Sequence, residues 1–333
     1  MLTSKFSNLP RAKSTEDFIA LSLSTRRKDF LTKGVDGEPI FLLHDSSPKK
    51  YVPGIQYRYI NAQFHSTCRI KTNEDSLQDQ FAVIACDSEV PELYELFINC
   101  FSAAIESLPS KAVTKQLESS IQDLLALFRD MSRPNRREAS GLWAELFIIE
   151  RSENTPKILS YWHDDPYDRY DFSWKNAYLE VKSTTQPTRI HDFSVDQLCV
   201  PVNAVGYVAS LLMLPLGSGI GIMDIARKID NSISGFPLLR KKLWSNIAKA
   251  LGSDFSEKID RRFDLAFSEQ NFMLYSMSDI PAFKNPIDTR ISSIRYKASL
   301  DTTSSSLPQP TLDFVSEILR TSSASERQAD QVT

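Results

Sequence analysis

The segment DFSWKNAYLEVK, Asp171–Lys182, has the most specific structural pattern in this sequence. Two short apolar segments flank a central Lys-Asn pair, and this pattern predicts two strands joined by a tight turn. Asp171 begins the first strand, and Glu180 and Lys182 lie on the second. Side chains two residues apart on a strand share a face, so Glu180 and Lys182 are predicted to point the same way. Asp171 is then predicted to face Glu180 across the hairpin.

These three charged side chains form a candidate active site. Two carboxylates this close disfavour each other's ionisation unless a cation lies between them, so Asp171 and Glu180 predict a Mg²⁺ site completed by phosphate and water. Lys182 places an ammonium group beside that site. Phosphodiester hydrolysis needs this combination, because a metal neutralises charge on the attacked phosphate while an ammonium orients the nucleophile or stabilises the transition state. The alternative interpretation is a solvated strand face.

Two further segments extend the pattern on either side of the hairpin. Upstream, Gly141–Glu150 (GLWAELFIIE) predicts a strongly apolar helix that carries Glu145. A carboxylate among such neighbours is predicted to be partly buried and to need a polar partner. The alternative for Glu145 is a position on a solvent-facing stripe. Downstream, the tripeptide Asp196–Leu198 (DQL) follows a short strand predicted over residues 189–195.

The order of these motifs resembles the signature of the PD-(D/E)XK nuclease superfamily. In particular it is similar to a branch encoded beside DNA methyltransferases and helicase-like ATPases in bacterial restriction and phage-defence clusters. Asp171 matches the aspartate of the signature, and Glu180–Lys182 (EVK) matches its E-x-K motif. Tyr170 replaces the usual proline, which binds no metal. The resemblance extends over most of the chain and is specific over Gly141–Leu198.

The resemblance implies a role for each matching residue. It implies four catalytic side chains: Asp171, Glu180, Lys182 and Glu145. The first two of these, with the backbone carbonyl of Val181, are expected to bind Mg²⁺, or Mn²⁺ in its place. Lys182 is expected to position the attacking water, and Glu145 to reach the metal directly or through water. Gln197 is expected to support the metal ligands or to contact DNA.

The remaining candidates for DNA binding lie around this core. The predicted DNA-contacting residues are Gln197, Ser183, Arg133, Arg136, Arg137 and Arg189. The arginines would supply affinity through phosphate contacts without reading the base sequence. A further basic group, Arg240–Lys242, is a candidate of the same kind. The alternative for each group is a solvated surface, and nearness to Glu145 favours the arginines just before its helix.

Two other motifs are predicted to be structural. His163 and Asp164 belong to an acidic, proline-containing loop with no second histidine four residues on, so this segment is interpreted as a polar loop near the mouth of the site rather than as a metal site. Gly217–Gly221 (GSGIG) lacks the spacing of a phosphate-binding loop, which favours a turn followed by the start of a helix.

Composition sets the limits of these interpretations. Of 333 residues, 41% are hydrophobic and 24% charged, as in folded globular proteins. A net charge of −3 requires any DNA-binding face to be local, and ten glycines disfavour repeated phosphate loops. Four separated cysteines without a CxxC pair predict reduced thiols. The first residues lack the apolar stretch of a signal peptide, and the most apolar run, Ala204–Leu216, is too short to cross a bilayer. We therefore expect a cytoplasmic protein with no membrane partner.

The predicted fold is mixed α/β. Residues 1–131 are expected to form a β-rich N-terminal module followed by helices, with a strand over 37–43. Residues 132–300 are expected to form a restriction-endonuclease-like α-β-β-β-α-β core, with helices over 223–233 and 238–251 and strands over 271–277 and 293–300. Residues 301–333 are expected to hold a short helix near 311–319 and a disordered tail.

The predicted function is that of a Mg²⁺-dependent deoxyribonuclease, similar to type II restriction endonucleases, in a bacterial restriction or antiviral system. Its expected partners are double-stranded DNA and, because one active site per chain must cleave two strands, a second copy of the chain or a partner complex. The resemblance adds a helicase-like ATPase and a DNA methyltransferase. The alternative hypothesis is a non-catalytic DNA-binding or scaffolding subunit. A glycan hydrolase is disfavoured, because a lysine beside Glu180 opposes the raised carboxyl pKa of a general acid.

Overall fold

The structure is a computed structural model that describes residues 2–72, 75–131, 138–165, 168–174, 176–282, 290 and 294–303. Helices and sheets both occur along these ranges, which confirms the predicted mixed α/β class. None of the helices in the described ranges is long and apolar enough to cross a membrane.

The elements are numbered in chain order. The described helices are α1 (Leu2–Ser7), α2 (Tyr94–Ile105), α3 (Thr114–Met131), α4 (Ala139–Arg151), α5 (Thr155–Tyr161), α6 (Ile222–Ser232), α7 (Pro237–Leu251), α8 (Phe255–Asp260) and α9 (Leu265–Gln270). The described strands are β1 (Asp17–Ser22), β2 (Phe30–Lys33), β3 (Pro39–His44), β4 (Ile55–Gln56), β5 (Ile60–Lys71), β6 (Ser76–Cys86), β7 (Phe172–Trp174), β8 (Ala177–Thr184), β9 (Ile190–Ser194), β10 (Val205–Leu212), β11 (Pro215–Gly221), β12 (Arg262–Phe263), β13 (Phe272–Ser276) and β14 (Arg295–Ser299). The helix expected near 311–319 and the tail after it lie outside the described residues.

The chain divides into two compact units. The first comprises Met1–Asn135 and Arg240–Ser256, and the second comprises Arg136–Leu239 and Glu257–Thr333. The predicted nuclease-like domain, 132–300, included the segment 240–256 that the structure groups with the first unit. A contact between Cys100 and Trp244 illustrates this grouping, because the Cys100 thiol donates to the Trp244 carbonyl oxygen at 3.7 Å. Such a pairing across 144 residues leaves no signal in local sequence patterns.

The first unit is built on a six-stranded sheet in the order β1-β2-β3-β6-β5-β4. Strand β1 also pairs in parallel with β5, so β1, β2, β3, β6 and β5 close into a ring. Large apolar side chains fill it, among them Phe18, Phe30 and Phe81. Closure removes the exposed sheet edges at which strands otherwise associate with other chains. The β-rich character predicted for this part of the chain is confirmed.

The second unit contains a four-stranded sheet in the order β13-β10-β8-β7. Strand β7 pairs antiparallel with β8, β8 runs parallel to β10, and β10 pairs antiparallel with β13. The sequence of β10, VGYVASLL, is almost uniformly apolar, which suits a strand with neighbours on both sides. Helix α4, against β8, buries most of its side chains, and the Trp143 indole N–H donates to the Ile220 carbonyl oxygen at 2.8 Å.

Two local features of the second unit differ from expectation. The strand predicted over 189–195 is present as β9, but it pairs antiparallel with β14 in a separate two-stranded sheet. Its buried and exposed positions alternate, which suits a strand with one covered face, whereas the apolar β10 takes the place beside β8. The segment Gly217–Gly221 is part of strand β11 rather than a turn, and a side chain at Gly219 would meet the Phe263 carbonyl oxygen at 2.3 Å.

Candidate active site

The predicted hairpin is present and sets the geometry of the site. Phe172 lies opposite Leu179, and Trp174 lies opposite Ala177, so a two-residue connection joins β7 to β8. Lys175, in that connection, lies outside the described residues. Extending the register by one residue places Asp171 opposite Glu180. The aspartate of the signature therefore lies immediately before β7, next to the E-x-K motif on β8.

Asp171 is held against the backbone of β8. Its Oδ2 accepts the backbone N–H of Val181 at 2.7 Å. Val181 is the middle residue of the E-x-K motif, so this bond anchors the aspartate between Glu180 and Lys182 along the strand. The backbone carbonyl of Asp171 also accepts the N–H of His163 at 2.9 Å. The loop after α5 is thereby attached to the start of β7.

Lys182 and Glu180 form a mostly buried ion pair on β8. The Lys182 Nζ lies 2.7 Å from Glu180 Oε1, and 5.2 Å from the centre of the Phe193 ring. Only 17% of the lysine side chain and 6% of the glutamate side chain is exposed. Coulombic attraction is stronger in such a setting than in water, and the contact fixes the position of the ammonium group.

Gln197 completes this arrangement. Its side-chain amide donates through Nε2 to Glu180 Oε1 at 2.6 Å, while its Oε1 lies 3.3 Å from Lys182 Nζ. The orientation of the amide is set by the backbone, because Ser194 N–H donates to Gln197 Oε1 at 3.0 Å as part of a capping box. The short turn after β9 therefore holds both charged members of the E-x-K motif with one side chain.

Glu145 is buried on α4, with 2% of its surface exposed, rather than on a solvent-facing stripe. Its Oε2 accepts the indole N–H of Trp162 at 2.7 Å and lies 3.3 Å from His163 Nε2. Trp162 forms an isolated antiparallel bridge with Phe172, which brings the Trp-His pair beside β7. Strand pairing and a side-chain hydrogen bond thus fix the Glu145 carboxylate.

Glu145, His163 and Asp171 together offer a set of metal ligands. One ligand atom from each lies within 4.8 Å of the others. Two carboxylates and an imidazole are donors that divalent cations accept. Glu180 does not belong to this group in the described part of the chain, where its Oε1 contacts Lys182 and Gln197 instead.

His163 could not be predicted as a site residue from the sequence pattern around it. The loop was interpreted as polar because it carries no second histidine at ligand spacing, and Glu145 lies 18 residues upstream of His163. That separation matches no helical or strand period. The one available signal was position, since the Trp-His pair falls between the predicted helix and the hairpin that carry the other candidates.

The predicted DNA-contacting residues have different placements. Arg133, Arg136 and Arg137 lie outside the described residues. Ser183, on β8, is half-buried, and Gln197 is engaged by Glu180 and Ser194. Arg189 is 6% exposed.

The burial of Arg189 corrects its predicted role. The guanidinium donates to the Ser210 carbonyl oxygen at 2.9 Å and to the Asn271 carbonyl oxygen at 2.6 Å, and burial lowers its pKa. These bonds tie β9 to the central sheet. A phosphate contact does not fit this placement, because the guanidinium is already committed to backbone carbonyls of the protein.

His191 lies near Lys182 but in the core. Its Nε2 is 2.8 Å from Ser210 Oγ. Burial, followed by the charges of Lys182 and Arg189, lowers the pKa of His191 to about 4. The imidazole is therefore neutral at physiological pH, and it adds no positive charge next to Lys182.

The fold and the site define a class: a mixed α/β protein in which an aspartate and an E-x-K motif meet on a hairpin beside a buried helical glutamate. The family model described as "Putative PD-(D/E)XK family member, (DUF4420)" matches residues 2–301. The chain belongs to this family, which confirms the resemblance seen in the sequence. Neither a curated protein nor a solved structure matches the chain.

Proposed function

We propose that the protein is a metal-dependent DNA endonuclease that hydrolyses phosphodiester bonds in a bacterial restriction or antiviral defence system. Membership of a PD-(D/E)XK family points to a nuclease-like function. The observation that most supports the proposal is the arrangement on β8. Glu180 and Lys182 form a buried ion pair, and Asp171 is bonded to the amide between them.

The donors on this hairpin fit a divalent cation. Carboxylate oxygens are the ligands that Mg²⁺ prefers, and we assign the cation to Asp171, Glu180 and the Val181 carbonyl, with Glu145 reaching it directly or through water. When bound, Mg²⁺ supplies Lewis-acid stabilisation of the negative charge on the phosphate. Asp171 and Glu145 also belong to the described ligand group that includes His163.

Lys182 is assigned the positioning of the attacking water. An ammonium group has three N–H donors, and two of the oxygens around Lys182 belong to Glu180 and Gln197. We assign a remaining donor to the water or to a phosphate oxygen on which charge develops. Because protein contacts already fix the ammonium, little reorganisation is needed when the substrate binds.

Double-stranded DNA is the proposed substrate. One active site per chain cuts one strand at a time, so a second copy of the chain or a partner complex is the proposed source of the site that cuts the other strand. A helicase-like ATPase and a DNA methyltransferase of the same system are the proposed partners. Phosphate contacts are assigned to Arg133, Arg136 and Arg137, which precede α4 and its glutamate in the sequence.

The test is cleavage of unmethylated plasmid and phage DNA by the purified full-length protein with Mg²⁺ or Mn²⁺. We expect discrete fragments that disappear with EDTA and with Glu180→Ala. The matched control is Glu150→Ala, which removes a glutamate from α4 that pairs with Arg151 and Lys228 outside the site. Fragments should persist with this control.

Other outcomes of the same assay decide between the hypotheses. Intact DNA that is nevertheless bound tightly would replace the proposal with the non-catalytic DNA-binding subunit. Cleavage that survives Glu180→Ala in a preparation free of contaminating nuclease would overturn the assigned site.

A further inference from the structure

His163 introduces a nitrogen ligand into a site otherwise made of oxygen. Its Nε2 lies 3.3 Å from Glu145 Oε2, and it shares with Glu145 and Asp171 a group of ligand atoms within 4.8 Å of one another. The side chain of His163 is 7% exposed and that of Glu145 is 3% exposed. The imidazole therefore faces the carboxylates rather than solvent.

Three separate segments fix this group in place. Glu145 belongs to α4, Asp171 is bonded to the Val181 amide of β8, and His163 donates its backbone N–H to the Asp171 carbonyl oxygen at 2.9 Å. The indole N–H of Trp162 holds Glu145 Oε2 at 2.7 Å. Ligand atoms held in advance by neighbouring hydrogen bonds are characteristic of protein metal sites.

The contact between the imidazole and the carboxylate has two chemical explanations. A ring nitrogen and a carboxylate oxygen lie close together when a proton is shared between them, and also when a cation binds both. A ligand atom of the second carboxylate, Asp171, within 4.8 Å of both favours the cation, because a divalent ion binds several donor atoms at once whereas a shared proton joins two.

We propose that His163 is a direct metal ligand together with Glu145 and Asp171, and that the centre consequently prefers Mn²⁺ to Mg²⁺. Mg²⁺ binds oxygen ligands and seldom accepts imidazole, whereas transition metals accept imidazole and carboxylate together. This inference rests on the metal centre of the proposed function and names the cation that it selects.

A second histidine–carboxylate pair in the chain provides a matched control. His44 Nε2 lies 3.2 Å from Asp79 Oδ2 in the first unit, a distance close to that of the His163–Glu145 contact. The pair belongs to no group of three metal ligands in the described ranges of the chain. His44→Gln therefore removes the same chemical contact without touching the proposed metal centre.

The experiment is electron paramagnetic resonance of the full-length protein titrated with MnCl₂, with and without competing MgCl₂. Bound Mn²⁺ should show electron spin-echo modulation from a directly coordinated ¹⁴N nucleus. We expect that signal in the unmodified protein and in His44→Gln, and its loss in His163→Gln, which offers an amide in place of the imidazole. The Mn²⁺ affinity should fall about tenfold or more in His163→Gln, since even residues that only orient a ligand contribute about that much.

The outcomes separate the two proposals. Mn²⁺ bound without ¹⁴N coupling, at an affinity that His163→Gln does not change, would overturn the role of His163 and leave the proposed nuclease intact. No binding of either metal would overturn both. If bound Mn²⁺ shows ¹⁴N coupling but the protein cleaves no DNA, the result would support His163 as a ligand and count against the proposed nuclease activity. Because the decisive spectrum comes from the unmodified protein, poor folding of a variant leaves the inference testable.

Discussion

Each unit of the molecule buries a carboxylate beside a histidine, and the two clusters differ in what surrounds them. In the first unit, Asp45 accepts the Thr114 hydroxyl at 2.8 Å and the Ser47 N–H at 2.9 Å, and Thr114 Oγ1 lies 3.2 Å from His65 Nε2. In the second unit, Glu145 and His163 are joined by another carboxylate, Asp171.

The difference lies in the number of potential metal ligands that each cluster brings together. Around Asp45, hydroxyl and amide donors satisfy the carboxylate, and the arrangement supports His65, which holds a positive φ of 54° at a β-bulge. Glu145 and Asp171 also accept N–H groups, from Trp162 and Val181, but one ligand atom from each of them lies within 4.8 Å of a ligand atom of His163. A single hydrogen-bonded carboxylate stabilises a fold, whereas two carboxylates beside an imidazole are suited to a cation.

The largest expected effect is on the rate of DNA cleavage and concerns Lys182. Lys182→Met keeps much of the side-chain volume and removes the ammonium, so the single-turnover rate of plasmid cleavage should fall by about a hundredfold or more. Lys228→Met is the control, because Lys228 forms an exposed pair with Glu150 away from the site. An unchanged rate in folded Lys182→Met would remove Lys182 from the reaction.

The next largest effect is on the free energy of unfolding and concerns Asp45 in the first unit. Asp45→Asn turns an acceptor into a donor opposite Thr114 or Ser47, so the free energy of unfolding should fall by about 2 kcal/mol. Urea denaturation measures the loss. The cleavage rate of the folded variant should not change. A variant that unfolds at the original urea concentration but fails to cleave DNA would show that the Asp45 cluster takes part in function.

The smallest effect is a dependence of stability on pH. Burial and the charges of Lys182 and Arg189 together lower the pKa of His191 to about 4, against the opposing effect of Asp301 and Asp192. The unfolded chain binds the proton more readily, so this contribution is complete above the ordinary pKa of histidine and is lost as the pH falls towards 4.

The size of this pH effect can be measured with one variant. Between pH 7 and pH 5, the unfolded chain protonates this histidine while folded His191 stays mostly neutral, so the unfolding free energy should fall by about 1–2 kcal/mol. His191→Gln can still contact Ser210 and does not titrate, so its stability should vary less over the same interval. If the unfolding free energies of the two proteins vary with pH in parallel, the low pKa of His191 is contradicted.

The features that the sequence predicted are local ones. The hairpin followed from two apolar segments around a turn, the shared face of Glu180 and Lys182 followed from strand alternation, and the burial of Glu145 followed from its apolar neighbours. Each depends on residues within a few positions of one another, where the period of the backbone controls side-chain direction.

The features that escaped prediction depend on contacts between distant residues. His163 is placed by a backbone bond to Asp171, β9 is drawn to β14 about a hundred residues later, and Arg189 is buried by carbonyls from β10 and from Asn271. The segment 240–256 returns to the first unit in the same way. No local period encodes these pairings. Strand β1 is different, because its short apolar run FIAL between polar residues could have been recognised as a strand.

The hydrogen bond from the Val181 N–H to Asp171 has a consequence for incorrect strand pairing. A single backbone N–H of β8 aligns Asp171 with both Glu180 and Lys182. A slip of one residue between β7 and β8 would turn Asp171 to the face opposite Glu180 and Lys182 and would break its hydrogen bond to that amide. Correct pairing of β7 with β8 and assembly of the three charged side chains therefore depend on the same register.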